Sequence, residues 1–228
     1  MIKAILFDLY ETLVTERDTT PVRASSLGGA LGLDPTAFRP IWKKLRHRVV
    51  RGELSFAGAL IEVGVQLGIA VDPAVVQGIC TGRVREKASL FQQMNPELVA
   101  VIRRLHDQGI KLAVVSNCFA EDMTAWSRCA VAPWFDAAVF SFEVGAAKPE
   151  PAIYLVAAER LRVKPVDALF IGDGGDDELL GAERTGLRSA QATWFQDGIV
   201  GGLASTSVRC ICAWQDVLQL VGCNREHR

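Results

Sequence analysis

Six short segments of consecutive apolar residues are spread along the chain, each bounded by polar or turn-forming residues. Between most of them apolar residues recur every three or four positions, which indicates amphipathic helices. Strands that are apolar on both faces and alternate with helices predict an α/β protein with a parallel sheet covered on both sides. The predicted strands are 2–7, 111–115, 137–140, 168–171, 188–192 and 208–212, and the predicted helices include 96–108, 151–161 and 178–185.

One long segment does not show this alternation. Between residues 16 and 91 the pattern has helical spacing only, and Asp34-Pro35 is typical of a helix start, with an aspartate cap and a proline in the first turn. We therefore predict an α/β core of residues 1–15 and 92–228, with an all-helical cap domain of residues 16–91 inserted after the first strand. One predicted cap helix carries a basic face made of Lys43, Lys44, Arg46, His47, Arg48 and Arg51.

Composition narrows the range of functions. The chain has 228 residues, 50% of them hydrophobic, and a formal net charge of −1. The near-neutral balance gives no electrostatic reason to expect binding to nucleic acid or to a membrane surface. The apolar runs fall short of the roughly 18 residues that a membrane span needs, and Lys3 and Asp8 interrupt the first one, which argues against a signal peptide. We expect a cytoplasmic protein that acts on a small molecule as a monomer or homodimer.

The six cysteines are too sparse for a disulfide scaffold in a chain of this length. Cys210 and Cys212, together with Cys223 and His227, could in principle ligate zinc. However, Cys210 and Cys212 flank Ile211 in a strand-like run, and the segment after Cys223 is polar. We therefore favour free thiols in a reducing environment.

Polar groups follow the first two predicted strands at their C-terminal ends, where parallel α/β sheets have their active sites. Asp8 ends the first strand, and a carboxylate there is costly to desolvate unless a cation or hydrogen-bond donors surround it. This points to an aspartate nucleophile beside a divalent metal. Ser116 ends the second strand, ahead of a helix expected near Ala120, and its hydroxyl would form either an anion site or an ordinary helix cap.

Two later segments offer matching charges. Lys148 precedes Pro149 just ahead of a helix, and it could neutralise charge that develops on a nucleophilic aspartate, although a solvated surface lysine has the same pattern. After the fourth predicted strand come four acids within six residues: Asp173, Asp176, Asp177 and Glu178. One or two of them could cap the next helix, but the rest would repel one another unless solvated or bound to a hard cation. We predict a Mg²⁺ site here.

The order of these groups is more specific than any one of them. Over essentially the whole chain, the arrangement resembles the haloacid dehalogenase superfamily of hydrolases, in the subgroup whose helical cap lies between the first and second motifs. The resemblance implies a Rossmann-like core. The matching residues are Asp8 as nucleophile and Thr12 in the first motif, Ser116 in the second, Lys148 in the third, and Asp173 with Asp177 or Glu178 in the fourth.

The resemblance implies that Asp8 attacks an electrophile and forms an aspartyl ester, which water then hydrolyses. In the phosphatase branch the electrophile is phosphorus, and Ser116, Lys148 and Mg²⁺ would bind the phosphoryl oxygens. Further substrate contacts would come from Tyr10, Thr12 and Asn117. Mg²⁺ would be held by Asp8, the backbone carbonyl of Tyr10 and Asp173, with Asp177 or Glu178 reaching it directly or through water.

One position departs from the phosphatase pattern. Phosphatases of this superfamily usually carry a second aspartate two residues after the nucleophile, as general acid and base, and such catalysis is typically worth about 10²–10⁴-fold. Tyr10 stands there, and a phenol is a poor base at neutral pH. The L-2-haloacid dehalogenases carry tyrosine at this position, because halide leaves without needing a proton. Their second motif also resembles Ser116-Asn117.

Three hypotheses therefore stay open: a phosphatase, a haloacid dehalogenase, and a binding member with impaired catalysis. We favour the phosphatase, because dehalogenases need no metal and the acid cluster would repel a haloacid carboxylate. The cap arginine that binds halide in dehalogenases is unassigned here, since Arg39 has the right separation from Asp8 but the sequence around Trp42 aligns Lys43 better. The basic face is interpreted as the solvated side of its helix, and the alternative is that one or two members contact a second anionic group of the substrate.

Overall fold

The computed structural model describes residues 1–16, 24–196 and 208–222. Its six strands form one parallel sheet in the order β3-β2-β1-β4-β5-β6. The predicted fold class is therefore confirmed. The strands are β1 (Ala4–Phe7), β2 (Lys111–Ser116), β3 (Ala137–Phe140), β4 (Ala168–Gly172), β5 (Arg188–Ala192) and β6 (Arg209–Ile211).

Helices cover both faces of this sheet because successive strand residues point to opposite faces. In β1, Ile5 and Phe7 pack into one apolar cluster, and Ala4 and Leu6 pack into another. The first cluster is completed by α5 (Pro96–Asp107) and α9 (Asp216–Leu220), and the second by α7 (Pro151–Leu161) and α8 (Glu178–Arg184). A short helix, α6 (Ser141–Val144), follows β3.

The helix expected near Ala120 is not an α-helix. A 3₁₀ helix spans Ala120–Met123, and two further 3₁₀ turns follow before β3. Phe119, Met123 and Trp126 in this segment are buried. Phe119 packs in the apolar cluster of the helical insert, and Met123 and Trp126 pack in a cluster beside the sheet. The helix predicted near Ala120 thus begins where expected, but it is a short 3₁₀ helix.

Four helices separate β1 from α5 in the described residues: α1 (Ala24–Ala30), α2 (Pro35–Val50), α3 (Phe56–Leu67) and α4 (Pro73–Gln92). Side chains cap three of them: Asp34, as expected, accepts from the Thr36 amide at 3.1 Å, Ser55 from the Gly58 amide at 3.0 Å, and Asp72 from the Ala74 amide at 2.8 Å. The four helices share an apolar cluster built around Phe38, Trp42 and Phe56. The division into a cap of residues 16–91 and a core of residues 1–15 and 92–228 stays a prediction.

The helical insert is joined to the sheet side of the molecule by an aromatic contact. Phe119, which follows β2, lies within the cap cluster, with ring centroids 5.5 Å from Phe56 and 6.3 Å from Trp42. The Arg83 guanidinium lies 4.5 Å from the Phe119 ring centroid and pairs with Asp122, with 2.6 Å between Nε and Oδ1. These buried contacts hold α2, α3 and α4 over the C-terminal end of β2.

No helix in the described ranges is long and apolar enough to cross a membrane. Cys210 lies on β6 and Cys212 directly after it, and both are exposed free thiols. Cys223 and His227, the other members of the alternative zinc set, lie outside the described residues.

The aromatic joint generates a stability prediction. Phe119→Ala removes a ring that is 4% exposed and leaves a cavity between the cap cluster and the core. Such truncations typically cost about 3–5 kcal/mol, because apolar contacts are lost and the space is only partly refilled. Urea denaturation should show this loss, whereas Val166→Ala, at a site that is 60% exposed, should change the free energy of unfolding by less than about 0.5 kcal/mol. A loss below about 1 kcal/mol for Phe119→Ala would show that the ring is not a packing link.

Candidate active site

Asp8 follows the C-terminal end of β1, the strand at the middle of the sheet. Its backbone amide donates to the carbonyl of Ile171 at 2.8 Å, which continues the pairing of β1 with β4. The side chain is 6% exposed, and its Oδ2 accepts from the Thr12 hydroxyl at 3.2 Å. The other carboxylate oxygen, Oδ1, contacts the Lys148 ammonium. The carboxylate is thus oriented by a hydroxyl on one side and a cation on the other.

Lys148 is the cation at the centre of this arrangement. It is 6% exposed, and its Nζ lies 2.5 Å from Glu178 Oε2 in addition to its contact with Asp8. Burial alone would lower the pKa of this ammonium, but the charges of Asp8 and Glu178 outweigh burial and raise it. Lys148 therefore stays protonated and is not the solvated surface lysine of the alternative interpretation.

Asn117 fixes the backbone of that lysine. Its Oδ1 accepts from the Lys148 amide at 2.8 Å, and its Nδ2 donates to the Lys148 carbonyl at 2.9 Å. Since this pair of hydrogen bonds uses both ends of the amide group, the geometry makes Asn117 a support for the lysine loop. Asn117 also lines the cavity above the site, so its predicted contact with substrate stays a prediction.

Two of the four acids that follow β4, Asp173 and Glu178, lie beside Asp8. Carboxylate oxygens of Asp8, Asp173 and Glu178 lie within 4.8 Å of one another. Glu178 approaches so closely that a Cβ on Gly172 would lie 2.0 Å from its Oε1, which explains the glycine at the end of β4. Asp177 instead precedes α8 with a φ of 56° and is not part of this group. Of the two candidates for the second acid, the geometry favours Glu178.

Burial shifts the titration of these acids. Loss of solvation raises the pKa of Asp8, and the Lys148 charge only partly opposes it. Burial, followed by repulsion from Asp8, raises the pKa of Glu178 to about 8. Without a metal ion, Glu178 therefore keeps its proton at neutral pH, because the single lysine does not compensate three charged carboxylates.

A divalent cation fits this set. Three carboxyl groups converge, two of them also contact the Lys148 ammonium, and carboxylate oxygens are the ligands that Mg²⁺ prefers. Asp8, Asp173 and Glu178 are the residues that could hold the ion among those described. The backbone carbonyl of Tyr10 as a further ligand stays a prediction.

Ser116 ends β2, as expected, and is fully buried. Its hydroxyl has no hydrogen-bond partner among the described residues. A buried hydroxyl without a partner is costly, which is consistent with a site that a ligand completes.

The Tyr10 side chain contacts the cap. Lys87 of α4 places its ammonium 4.1 Å from the centre of the Tyr10 ring and pairs with Glu16. The phenol oxygen is buried without a hydrogen-bond partner in the described structure. Burial and then the Asp122 charge raise the pKa of Tyr10 well above its ordinary value, so the phenol stays protonated and cannot act as a base.

Two cavities meet above the nucleophile. One of about 220 Å³ is lined by Asp8, Lys148, Asp173 and Glu178, and another of about 500 Å³ extends between α2, α4 and the segment after β2. Their shared lining residues are Tyr10, Glu16, Arg46 and Asn117. Arg46 is the notable addition: the sequence placed it only on a basic helix face, because helical spacing does not tell which face meets the core.

Comparison with known proteins agrees with this geometry. Residues 2–186 match the family model for haloacid dehalogenase-like hydrolases, and the chain belongs to that family. Its curated relatives include glyceraldehyde 3-phosphate phosphatases from Methanopyrus kandleri, 28% identical with 82% of each chain covered, and from Pyrococcus abyssi, 25% identical with 87% of this chain and 83% of the relative covered. The protein is therefore a hydrolase, and its relatives favour phosphatase activity.

Solved structures share the fold across both branches of the family. A phosphatase from Thermococcus onnurineus superposes with a TM-score of 0.66 at 21% identity, covering 98% of this chain and 100% of that one. A 2-haloacid dehalogenase from Pseudomonas syringae also has a TM-score of 0.66, at 23% identity, with 97% and 99% covered. At these identities the likeness establishes the fold and does not separate the two activities.

The raised pKa of Glu178 predicts a pH dependence of stability in protein treated with a chelator. Between the ordinary value of 4.5 and about 8, the folded protein holds a proton that the unfolded chain has released. Stability should therefore fall as the pH rises from about 5 to 8. Glu178→Gln should flatten this fall in thermal unfolding, because the amide keeps the shape without titrating.

Glu159→Gln provides the matched control, since Glu159 is exposed on α7 and makes no ion pair with described residues. Its melting temperature should follow the pH profile of the unaltered protein. If melting temperature fell with pH at the same rate in all three proteins, Glu178 would not be the group that holds the proton.

Proposed function

We propose that this hydrolase is a Mg²⁺-dependent phosphatase that acts on a small phosphorylated metabolite through an aspartyl-phosphate intermediate on Asp8. The observation that carries the proposal is the convergence of the carboxyl groups of Asp8, Asp173 and Glu178, of which Asp8 and Glu178 also contact the buried Lys148. Three carboxyl groups at one point favour a divalent cation, which would replace the proton of Glu178 and attract an anionic substrate. The phosphatase names of the curated relatives support the same activity.

The chemistry follows from the positions of these groups. A carboxylate oxygen of Asp8 attacks phosphorus, the bond to the ester oxygen breaks, and the leaving oxygen takes a proton from solvent. Water then attacks the phosphorus of the acyl phosphate, which releases inorganic phosphate and restores the Asp8 carboxylate. Thr12 orients the nucleophile through its hydrogen bond to Oδ2. The Lys148 ammonium and the free Ser116 hydroxyl stabilise charge on the phosphoryl oxygens.

Mg²⁺ would be held by Asp8, Asp173 and Glu178. When bound, it would neutralise phosphoryl charge that Lys148 alone does not balance. The three carboxylates, which repel one another without the ion, would each be attracted to it.

The direct test is hydrolysis of p-nitrophenyl phosphate with and without Mg²⁺. We expect turnover that a chelator abolishes and that Asp8→Asn lowers by at least about 10³-fold, because the amide cannot act as the nucleophile. Asp107→Asn, at an exposed position at the end of α5, is the control and should retain the activity. Turnover that is unaffected by both the chelator and Asp8→Asn would overturn the proposal.

The presence of Tyr10 in place of an acid predicts that kcat depends on how readily the leaving group departs. Because the raised pKa makes its phenol an even weaker acid, Tyr10 is poorly suited to protonate a poor leaving group. Tyr10→Asp should therefore raise kcat for an alkyl phosphate such as glycerol 3-phosphate by about 10-fold or more, while p-nitrophenyl phosphate changes less. Tyr10→Phe is the matched control and should raise neither rate. Equal effects of both substitutions on both substrates would contradict this role of the position.

Tyr10 is also the specific observation that favours a second candidate, a haloacid dehalogenase, because a halide ion leaves without a proton. The pairing of Asp173 and Glu178 with Asp8 counts against it, since these acids would repel a haloacid carboxylate. Release of chloride from 2-chloropropionate in the presence of a chelator, without hydrolysis of any phosphate ester, would establish that candidate instead. Binding of Mg²⁺ without turnover of either substrate class would identify a binding member with impaired catalysis.

A further inference from the structure

The larger cavity beside the active site is strongly charged. Its lining includes five basic residues (Arg39, Lys43, Arg46, Arg83 and Lys87) and three acidic ones (Glu16, Glu86 and Asp122). It joins the catalytic cavity at Tyr10, Glu16, Arg46 and Asn117. A substrate whose phosphate lies against Asp8 would therefore place the rest of its structure in this basic space.

Two of the acids are already neutralised. Asp122 pairs with Arg83, and Glu16 pairs with Lys87. These pairs involve α4, and they leave only Glu86 to oppose the three basic residues of α2. No described acidic group forms an ion pair with any of those three. By contrast, Arg48 of the same helix pairs with Glu53, and Arg51, which follows the helix, pairs with Glu150.

The three basic residues share one stripe of α2. Arg39, Lys43 and Arg46 are separated by four and three positions, so their side chains project from one side of the helix. Lys44 lies on a different side and lines neither cavity. The basic face inferred from the sequence is therefore divided by the fold: one part faces the substrate cavity, and the rest is solvated or paired.

We propose that Lys43 and Arg46 form a second anion-binding subsite, so that the preferred substrate is a phosphate ester whose leaving group carries a carboxylate or a second phosphate. This inference rests on the proposed phosphatase function. Arg46 lines both cavities and is positioned nearer the junction, while Lys43 lines only the larger one. A leaving group that extends from the nucleophile into the larger cavity meets Arg46 first and Lys43 beyond it.

The subsite would also compensate for the chemistry at Tyr10. Without a side-chain acid, the enzyme must gain rate from positioning, and binding energy from a remote anion can be used to hold the ester in line with Asp8. Because the two cations are exposed, their contribution should weaken as salt increases.

The test compares substrates that differ only in the remote group. One pair is 3-phosphoglycerate against glyceraldehyde 3-phosphate, which exchanges a carboxylate for an aldehyde. The other is 1,3-dihydroxyacetone bisphosphate against dihydroxyacetone phosphate, which adds a second phosphate. We expect kcat/KM for the charged member to exceed that for its neutral partner by about tenfold or more in at least one pair, and the favoured pair identifies the anion.

Lys43→Gln and Arg46→Gln should each lower that ratio by about five- to tenfold, and 0.5 M salt should lower it in the unaltered protein. Lys44→Gln is the matched control on the same helix and should change the ratio by less than about twofold, because an exposed charge away from the cavity contributes little. Ratios at or below one in both pairs, or an equal loss in Lys44→Gln and Lys43→Gln, would overturn the subsite.

A binding measurement separates failure of the subsite from failure of the phosphatase proposal. In an Asp8→Asn background, calorimetric titration with 3-phosphoglycerate and with 1,3-dihydroxyacetone bisphosphate in Mg²⁺ requires no turnover. Weakening of Kd by about fivefold or more on Arg46→Gln for either ligand supports the subsite even if no ester is hydrolysed. Unchanged affinity for both ligands rejects the subsite even if p-nitrophenyl phosphate is hydrolysed.

Discussion

The contact between the Lys148 ammonium and two buried carboxylates, Asp8 and Glu178, is the interaction on which the site depends. Taking such charges out of water is expensive, and one cation cannot balance these acids together with Asp173. Burial raises the pKa of Asp8 and Glu178, so these acids hold protons that a divalent ion would displace, and the bound ion would then attract an anionic substrate. This is the physical reason for favouring a phosphatase within this hydrolase family.

The parallel sheet brings the groups together from distant parts of the chain. β1 lies between β2 and β4, so the residues that follow these strands meet at one edge. Supporting residues then fix the geometry: Asn117 binds both the amide and the carbonyl of Lys148, and the Tyr154 hydroxyl donates to the Glu178 carbonyl at 2.7 Å. Gly172 leaves room for the Glu178 side chain. The positions of the reactive carboxylates therefore depend on neighbouring residues that hold them in place and take no part in the chemistry.

Tyr10 connects this chemistry to the helical cap. The same side chain removes the usual acid-base group from beside Asp8 and supplies a ring beneath Lys87 of α4. The cap in turn presents basic residues of α2, which form no ion pair with the described acids, to the cavity above the nucleophile. Tyr10 thus links the catalytic groups at the sheet to the substrate-binding residues of the cap. In our proposal, tighter binding of the leaving group by the cap offsets the loss of general acid-base catalysis at this position.

The sequence by itself determined the parallel α/β fold, the helical insert and the identity of the residues at the strand ends, because apolar periodicity and motif order are local properties of the chain. Tertiary structure decided that Glu178, not Asp177, approaches Asp8, since the backbone conformation before α8 selects which acid points inward. It also decided that Tyr10 points toward the cap and that Ala120–Met123 is a 3₁₀ helix. These outcomes depend on contacts between residues far apart in the chain, and no local pattern encodes them.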